Sequence, residues 1–422
     1  MKLRLALSLA LASLWHRRGV LALVTLTLTL SVTLLLGVQY LRTEVKQSFS
    51  NTISGTDLIV GARSGQLNLL LYTVFHLGDA TANIRWSTYQ ALAEDPRVAW
   101  TVPISLGDSY RGYRVIGTDD GYWRHFRYGN EQPLAMANGR WFNQVFEVVL
   151  GAEVARQFQH QVGDEVTLAH GMGRVSFMNH DAHPFTVTGV LAATGTPVDR
   201  AVYVSLAGLE AIHIGWQAGV PIPGRTASPE QAMARDLTPT AITAALVGLE
   251  RRVLTFQLQR QLNESEREPL TAILPGVALN ELWRILGQFE RTLLALTGFV
   301  VVTSLVGLGA VLLTLQAQRR QEIRILRAVG ASPGLVASLY LLECTLLASL
   351  SAVLALAMGG LAVALAGPWL LEHYGFQVSL RALHWEEWLL LACVPAAGFL
   401  IGLIPAGQAW QRARQPALNP DL

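Results

Sequence analysis

Residues 316–334 have the sequence QAQRRQEIRILRAVGASPG. This stretch, called the basic segment below, lies between two apolar runs, 293–315 and 335–366, that are each long enough to cross a bilayer as a helix. Its central residues favour a short helix, because Gly330 is placed to cap the C-terminus and Pro333 stops continuation. A connection that only reversed the chain would need just a few polar residues. We therefore expect the basic segment to be a rigid unit that a partner can bind.

The basic segment is amphipathic when its residues are placed at helical spacing. Arg320, Arg324 and Arg327 fall on one side of the helix. Ile325 and Val329 form an apolar stripe beside them. A spanning helix on each side would hold this surface at the membrane, where a partner can reach it.

The run RRQEIRILRAVGASPGLV, followed by a helix that carries Glu343, resembles the signature R-x-x-E-I-x-x-L-R-A-x-G-A of the FtsX/MacB-type permeases of ABC transporters. These are the type VII, or mechanotransmission, transporters. The resemblance implies that the basic segment docks into a groove on a separate ATPase and that two permease copies or homologues form a dimer. The residues implied to couple to the ATPase are Arg320, Glu322, Ile323, Leu326, Arg327, Ala328 and Gly330. An ordinary positively charged cytoplasmic loop would explain the arginines, but not the ordered run EIRILRAVG.

The composition indicates an integral membrane protein. Of the 422 residues, 51% are hydrophobic and 15% are charged, and the net charge of +2 gives no support to nucleic-acid binding. A spanning helix takes about 20 apolar residues, and the chain contains runs of that length. Transmembrane helices are expected at 19–41, 292–315, 335–366 and 388–406.

The first 18 residues also need an interpretation. Lys2 and Arg4 precede an apolar stretch, which would suit a signal peptide. The block from His16 to Arg18 and a longer apolar run follow directly, so an amphipathic helix on the cytoplasmic membrane surface at 1–18 is preferred.

The orientation follows from the arginines and lysines near the ends of the spans. They gather on one side, whereas the short loop 367–387 on the other side carries only Arg381. The positive-inside rule therefore places both termini, the basic segment and the tail 407–422 in the cytoplasm of a bacterial inner membrane.

The insertion 42–291, between the first and second spans, is then periplasmic. Its predicted strands and short helices alternate, which favours an α+β unit with its own core. Four motifs resemble those of MacB-type periplasmic domains, and their glycines are expected to supply turns or bulges at strand ends. The motifs are GRWF at 139–142, VLG at 149–151, VGD at 162–164 and FTVTGV at 185–190.

The end of this domain is predicted to be a rigid helix. Residues 278–292 are amphipathic and continue without a breaker into the second span. A continuous helix transmits movement that a flexible linker would absorb, although it could also be simply the way the chain enters the bilayer. The predicted fold is an α-helical membrane protein with four transmembrane helices and a large α+β periplasmic domain inserted between helices 1 and 2.

The sequence lacks the motifs of an enzyme. No G-x-x-x-x-G-K-[ST] run is present, so nucleotide cannot be held in the P-loop manner. The resemblance then implies that ATP and Mg²⁺ are bound by the partner ATPase, and that this chain is a non-catalytic subunit without a cofactor of its own.

Histidines in the insertion are candidate metal ligands. His170, His180, Asp181 and His183 combine imidazoles with a carboxylate, which is a ligand set that zinc favours. On a strand His180 and His183 would point to opposite faces, so shared ligation requires a turn. The alternative is a solvated polar loop before the strand at 185–190.

Glu343 stands within an apolar run. A charged side chain at mid-bilayer costs about 2.5–3.5 kcal/mol, and less near the surface. We expect Glu343 to face the helix bundle or a water-filled crevice and to pair with an arginine of the basic segment, in a structural or coupling role.

Two classes of function remain open. The first is the permease subunit of an ABC transporter that couples ATP hydrolysis by a separate ATPase to movements of its periplasmic domain. It would move or release a lipoprotein, peptide, drug or metal-linked client, with a periplasmic client or adaptor protein as a further partner. The second is a membrane-anchored periplasmic metal sensor or metalloenzyme, or an FtsX-like regulator of wall hydrolases.

Overall fold

The computed structural model describes residues 17–50, 52–171, 180, 183–217, 220–221, 228–318, 325, 327–374 and 381–414. The chain divides into two compact units. The helical unit comprises Met1–Glu44, Gly287–His373 and Gln377–Leu422, and the sheet unit comprises Val45–Leu286 with Tyr374–Phe376.

The α-helices of the described residues have the following bounds. They are α1 (Arg18–Ser50), α2 (Gln66–Val74), α3 (Trp86–Ala93), α4 (Asp120–His125), α5 (Ala152–Phe158), α6 (Leu206–Ile212), α7 (Pro229–Met233), α8 (Thr255–Asn263), α9 (Pro275–Gln318), α10 (Pro333–Tyr374) and α11 (Trp385–Arg414).

Four of these helices are long and apolar enough to cross a membrane. The qualifying stretches are Arg18–Glu44 in α1, Pro275–Gln316 in α9, Pro333–Trp369 in α10 and Trp385–Arg412 in α11. The sheet unit lies between the first and second of them in the sequence. This confirms the predicted arrangement of four apolar helices with an inserted domain.

The helix α9 is continuous over 44 residues. It contains both the amphipathic stretch 278–292 and the apolar run 293–315 without a break. Leu279 and Leu282 are buried in the core of the sheet unit, whereas Leu305 and Leu308 are buried in the core of the helical unit.

Close contact between α10 and α11 depends on small residues. A Cβ atom added at Gly398 would lie 2.5 Å from the Cβ of Ala348, and one added at Gly402 would lie 2.9 Å from the Cβ of Cys344. Gly398 and Gly402 are four residues apart, as are Cys344 and Ala348, so each pair lies on one face of its helix. Small residues at this spacing let helix backbones approach closely, and larger ones would separate them.

The strands of the sheet unit have the following bounds. They are β1 (Leu58–Ala62), β2 (Ile84–Arg85), β3 (Val98–Tyr110), β4 (Tyr113–Thr118), β5 (Arg127–Tyr128), β6 (Gln132–Pro133), β7 (Met136–Gly139), β8 (Glu147–Leu150), β9 (Glu165–Val166), β10 (Ala169–His170), β11 (Phe185–Leu191), β12 (Ala201–Ser205), β13 (Trp216–Gln217), β14 (Val220–Pro221), β15 (Ala241–Ile242), β16 (Ala244–Leu249) and β17 (Leu270–Ile273).

The main sheet is mixed and has the order β17-β1-β16-β3-β4-β12-β8-β11-β7. The pairs β4/β12 and β8/β11 are parallel, and the other neighbours along this path are antiparallel. Strand β3 belongs to both halves of the sheet. Its first part pairs with β16 and its second part pairs with β4 and with the short strand β10.

The four motifs contain glycine for different physical reasons. Gly139 and Gly163 have φ angles of +76° and +102°, which favour glycine in turns, as expected. Gly189 lies at a register shift between β11 and β8, as expected for a bulge. Gly151 differs, because its φ of −65° suits any residue. A Cβ there would lie 2.4 Å from the carbonyl oxygen of Asp199, so this glycine is needed for space rather than for a turn.

Candidate functional site

Four side chains of the sheet unit converge at one point. They are Asp108, His170, His180 and His213, and one possible ligand atom from each lies within 4.8 Å of the others. We call this group the His–Asp cluster. Its members lie up to 105 residues apart in the sequence.

A β-bulge places Asp108. The register between β3 and β4 shifts between Leu106 and Ser109, so Gly107 and Asp108 together stand opposite one residue of β4, and β3 has one extra residue in the ladder. A bulge bends the strand and turns a side chain away from its regular direction. His170 lies opposite Asp108 in the antiparallel pair of β3 and β10.

Backbone hydrogen bonds place the other two histidines. The backbone N–H of His180 donates to the carbonyl of Leu168, at 2.9 Å, just before β10 begins. His213 follows directly after α6, and its Nδ1 lies 2.8 Å from the carbonyl oxygen of Leu209. A carbonyl only accepts hydrogen bonds, so Nδ1 carries the proton and Nε2 faces the cluster.

The cluster is centred on one carboxylate oxygen. Asp108 Oδ1 lies 3.1 Å from His170 Nδ1, 3.6 Å from His213 Nε2 and 3.7 Å from His180 Nε2. The side chains of Asp108 and His180 are 0% exposed, whereas those of His170 and His213 are 33% and 30% exposed. The ring of Trp216 lies 4.2 Å from that of His180. The cluster is therefore buried on one side and open on the other.

The electrostatics favour a charged carboxylate. Burial by itself would raise the pKa of Asp108, but the three imidazoles beside it, those of His170, His180 and His213, hold this pKa well below its usual range. Burial lowers the pKa of His213, and the neighbouring Asp108 outweighs that effect and raises it. The cluster thus concentrates negative charge at a point surrounded by imidazoles.

The sequence prediction identified half of this group. His170 and His180 are brought together, as the zinc hypothesis requires, whereas Asp181 lies outside the described residues. The ring of His183 stacks on Phe146 instead, with 5.5 Å between ring centroids. Asp108 and His213 were not predicted.

One weak sequence signal exists for the two missed ligands. A glycine inside a strand pattern, as at Gly107, is typical of a bulge and could have drawn attention to Asp108. His213 directly follows the helix α6, a position that carries no metal signal by itself. Its partners were not evident because they lie on other elements.

The basic segment is described in part. Of the predicted coupling residues, Arg327, Ala328 and Gly330 are described, and Arg320, Glu322, Ile323 and Leu326 lie outside the described residues. The N–H of Val329 donates to the carbonyl of Ile325 at 3.0 Å, which forms a helical turn. Gly330 follows with a φ of +100°, a conformation typical of a helix C-cap. Ile325 and Val329 are both exposed, Val329 to 84%.

Glu343 lies in α10 and is buried. Its neighbour Cys344 packs in the core of the helical unit. The expectations that this carboxylate faces the bundle and pairs with an arginine of the basic segment stay predictions.

The other end of the helical unit carries a second group of charges. Arg381 binds both carboxylate oxygens of Glu387, at 2.8 and 3.0 Å, and donates to Glu44 at 2.7 Å. We call these three residues the Arg381 ion-pair group. Arg42 forms a separate pair with Glu290, at 2.8 Å. Arg42 and Arg381 at this end are therefore paired with acidic side chains.

The fold and these features define a class of protein: a chain of four long apolar helices with a mixed α/β domain inserted after the first. Comparison with protein families makes the class specific. The family model of the MacB-like periplasmic core domain matches residues 21–246, and that of the FtsX-like permease C-terminal domain matches residues 294–417. The first match alone covers more than half of the chain. The chain therefore belongs to the FtsX/MacB-type permeases of ABC transporters.

Solved structures similar to this chain include a periplasmic region and an extracellular domain of two transport proteins. The periplasmic region of MacB from Actinobacillus actinomycetemcomitans is 13% identical, with a TM-score of 0.32, and the match covers 55% of this chain and 94% of that structure. The extracellular domain of the noncanonic ABC-type transporter YknZ from Gram-positive bacteria is 14% identical, with a TM-score of 0.29, and the match covers 52% of this chain and 99% of that structure. Comparison with curated protein sequences finds no match.

Proposed function

We propose that this chain is the membrane subunit of an inner-membrane ABC transporter in which a separate ATPase binds the basic segment. ATP hydrolysis by that ATPase, which holds the nucleotide and Mg²⁺, moves the helices of a permease dimer. The sheet unit, on the periplasmic side, passes the movement to a client or adaptor protein. The chain itself performs no catalysis in this scheme.

The observation that carries the proposal is the surface at the end of the basic segment. Val329 and Ile325 are exposed apolar residues one helical turn apart, and the exposed Arg327 lies between them in the sequence. An exposed apolar pair beside a cation, capped by Gly330 and followed at once by α10, suits a groove on a soluble partner.

The distribution of charge supports a cytoplasmic position for this surface. Arg17 Nη1 donates to the carbonyl of Leu315, at 3.3 Å, so the start of α1 and the end of α9 lie at the same end of the helical unit. Arginines gather at that end, and at the opposite end Arg42 and Arg381 are paired with glutamates. The positive-inside rule then favours the basic segment and both termini in the cytoplasm.

The continuity of α9 supports mechanical coupling. One helix of 44 residues contains residues of both units, Pro275–Leu286 of the sheet unit and Gly287–Gln318 of the helical unit. A rigid helix conveys a shift or rotation from one end to the other, whereas a flexible linker would absorb it. We propose that α9 carries movement to the periplasmic domain.

The test begins with purification of the full chain from native membranes and identification of a co-purifying P-loop ATPase. The ATPase activity of the complex is then measured in lipid nanodiscs. Val329→Asp should lower the affinity for the ATPase at least tenfold and abolish stimulation of ATP hydrolysis, because it places a carboxylate in the apolar contact.

The matched control is Val253→Asp. Val253 is 80% exposed and belongs to the sheet unit, so the same substitution there should leave association and stimulation unchanged. Normal stimulation in the Val329→Asp complex would show that the basic segment is an ordinary loop. Equal loss in both variants would show that the effect is not specific to the basic segment.

A further inference from the structure

The His–Asp cluster has more acceptor atoms than donors to satisfy them. Since Nδ1 of His213 donates to Leu209, the neutral imidazole presents a lone pair at Nε2 to the carboxylate of Asp108. Nδ1 of His170 lies 3.1 Å from Asp108 Oδ1 and 3.2 Å from His213 Nε2, and a single N–H there can donate well to only one of these two acceptors, whereas a cation between them would interact with both. The arrangement therefore favours a bound cation.

Buried polar atoms in the cluster also favour a bound cation. Among the described residues, Asp108 Oδ2 and both ring nitrogens of His180 are buried without a hydrogen-bond partner. Unsatisfied buried polar groups are rare because each costs about 1–3 kcal/mol. A bound ion would supply the missing interaction to the nitrogen and carboxylate atoms that face it.

The spacing of the ligand atoms is close to that around a small tetrahedral ion, and all of these atoms lie within 4.8 Å of one another. With metal–ligand distances of about 2.0–2.1 Å, neighbouring ligand atoms of a tetrahedral zinc site lie about 3.3 Å apart. The three distances from Asp108 Oδ1 are 3.1, 3.6 and 3.7 Å, and His170 Nδ1 lies 3.2 Å from His213 Nε2. Larger ions with six to eight oxygen ligands do not suit three imidazoles.

The groups around the His–Asp cluster are typical of a protein metal site. The hydrogen bond from His213 to Leu209 fixes the ring and its tautomer, as second-shell carbonyls do for metal ligands. The partly exposed edges of His170 and His213 give an ion a path into the cluster. Four protein ligands complete a tetrahedral shell, which is the pattern of a structural or sensing site rather than of a hydrolytic enzyme.

We infer that the sheet unit binds one divalent transition-metal ion of the zinc type through Asp108, His170, His180 and His213. The ion joins the bulge of β3, the strand β10 and the end of α6. Binding there is independent of the basic segment, so its outcome can be distinguished from that of the ATPase test.

The experiment uses the full chain in lipid nanodiscs, purified with a tag that contains no histidine and stripped with a chelator. Zn²⁺ is added in competition with a chromophoric chelator, and bound metal is counted by mass spectrometry. We expect one saturable zinc ion per chain. Asp108→Asn and His180→Ala should each weaken binding at least a hundredfold, because each removes a ligand.

The control is His160→Ala, which removes an imidazole from the same unit. His160 lies 2.7 Å from the hydroxyl of Tyr110 and 3.1 Å from a carboxylate oxygen of Asp164, outside the cluster. Its loss should change zinc affinity less than threefold. His213→Ala, at a partly exposed position, gives a further ligand variant if Asp108→Asn does not fold.

Co²⁺ provides a readout of geometry. Tetrahedral Co²⁺ absorbs visible light much more strongly than six-coordinate Co²⁺, so the wild type should develop an intense visible band that the Asp108→Asn and His213→Ala variants lack. Absence of saturable zinc binding at neutral pH would overturn the inference and leave the cluster as a protonated hydrogen-bond network. Binding that His160→Ala abolishes as strongly as His180→Ala would overturn it as well.

Discussion

Replacing Arg381 by methionine should destabilise the helical unit. Arg381 holds the two oxygens of Glu387 and one oxygen of Glu44, and its guanidinium carbon lies 4.5 Å from the ring centroid of Tyr40. The side chain of Glu387 is only 1% exposed. Methionine would preserve much of the packing but leave that carboxylate buried without a counter-charge.

The magnitude follows from the loss of one partner of a buried ion pair. Such a loss costs about 3–5 kcal/mol. Glu387 keeps the hydrogen bond that it accepts from the backbone N–H of His384, at 2.8 Å, so the lower end of this range applies. For a unit of this size, about 3 kcal/mol corresponds to a fall in Tm of roughly 10 °C.

The assay is thermal unfolding of the full chain in nanodiscs, followed by tryptophan fluorescence. The double variant Arg381→Met with Glu387→Met should recover much of the lost stability, because removing both charges also removes the uncompensated one. The matched control is Arg284→Met. Arg284 is 77% exposed and pairs with Glu281 on the same helix, so its loss should cost less than about 1 kcal/mol. Unfolding of Arg381→Met at the wild-type temperature would refute the reasoning.

Two further predictions concern the sheet unit. Asp119 is the N-cap of α4, and burial raises the pKa of its carboxyl group to about 6. The stabilisation that comes from the protonated carboxyl group is fully present below the unfolded pKa, near 4, and is lost as the pH rises through 6. Asp119→Asn keeps the cap without the charge. Between pH 4 and pH 7 the free energy of unfolding of this variant should therefore rise relative to that of the wild type by up to about 2 kcal/mol. Parallel curves of the free energy of unfolding against pH would contradict this prediction. Gly151→Ala should destabilise the unit by at least about 2 kcal/mol, since its Cβ would meet the backbone of Asp199. The control is Gly65→Ala, because Gly65 precedes α2 with nearly the same φ, −64°, but has open space around it. Equal changes in Tm for the two variants would show that lack of space at Gly151 is not the cause of the destabilisation.

The candidate metal centre shows how far a linear sequence can be interpreted. His170 and His180 were identified because they are close together in the chain and of the right chemical type. His183 satisfied the same criterion, yet its ring stacks on Phe146. Asp108 joins the group only because a bulge in β3 displaces it and because β10 pairs alongside.

Arg381 illustrates the same limit in the helical unit. In the sequence, Arg381 is a single positive charge in a short loop. It therefore adds little to the prediction of the chain's orientation in the membrane. In the structure it is the centre of an ion-pair group whose acidic members come from α1 and α11. A charge count cannot show which charges are neutralised by residues far away in the chain.

The sequence by itself determined the four apolar helices, the inserted α/β domain and the family. These depend on local quantities: the length of apolar runs, the signature in the basic segment, and glycines at turns such as Gly139 and Gly163. Tertiary structure alone decided which ligands meet in the His–Asp cluster, which glutamates neutralise Arg381, and why Gly151 must be a glycine. Each of these depends on distances between remote segments, which are set by strand register and helix packing rather than by neighbouring residues.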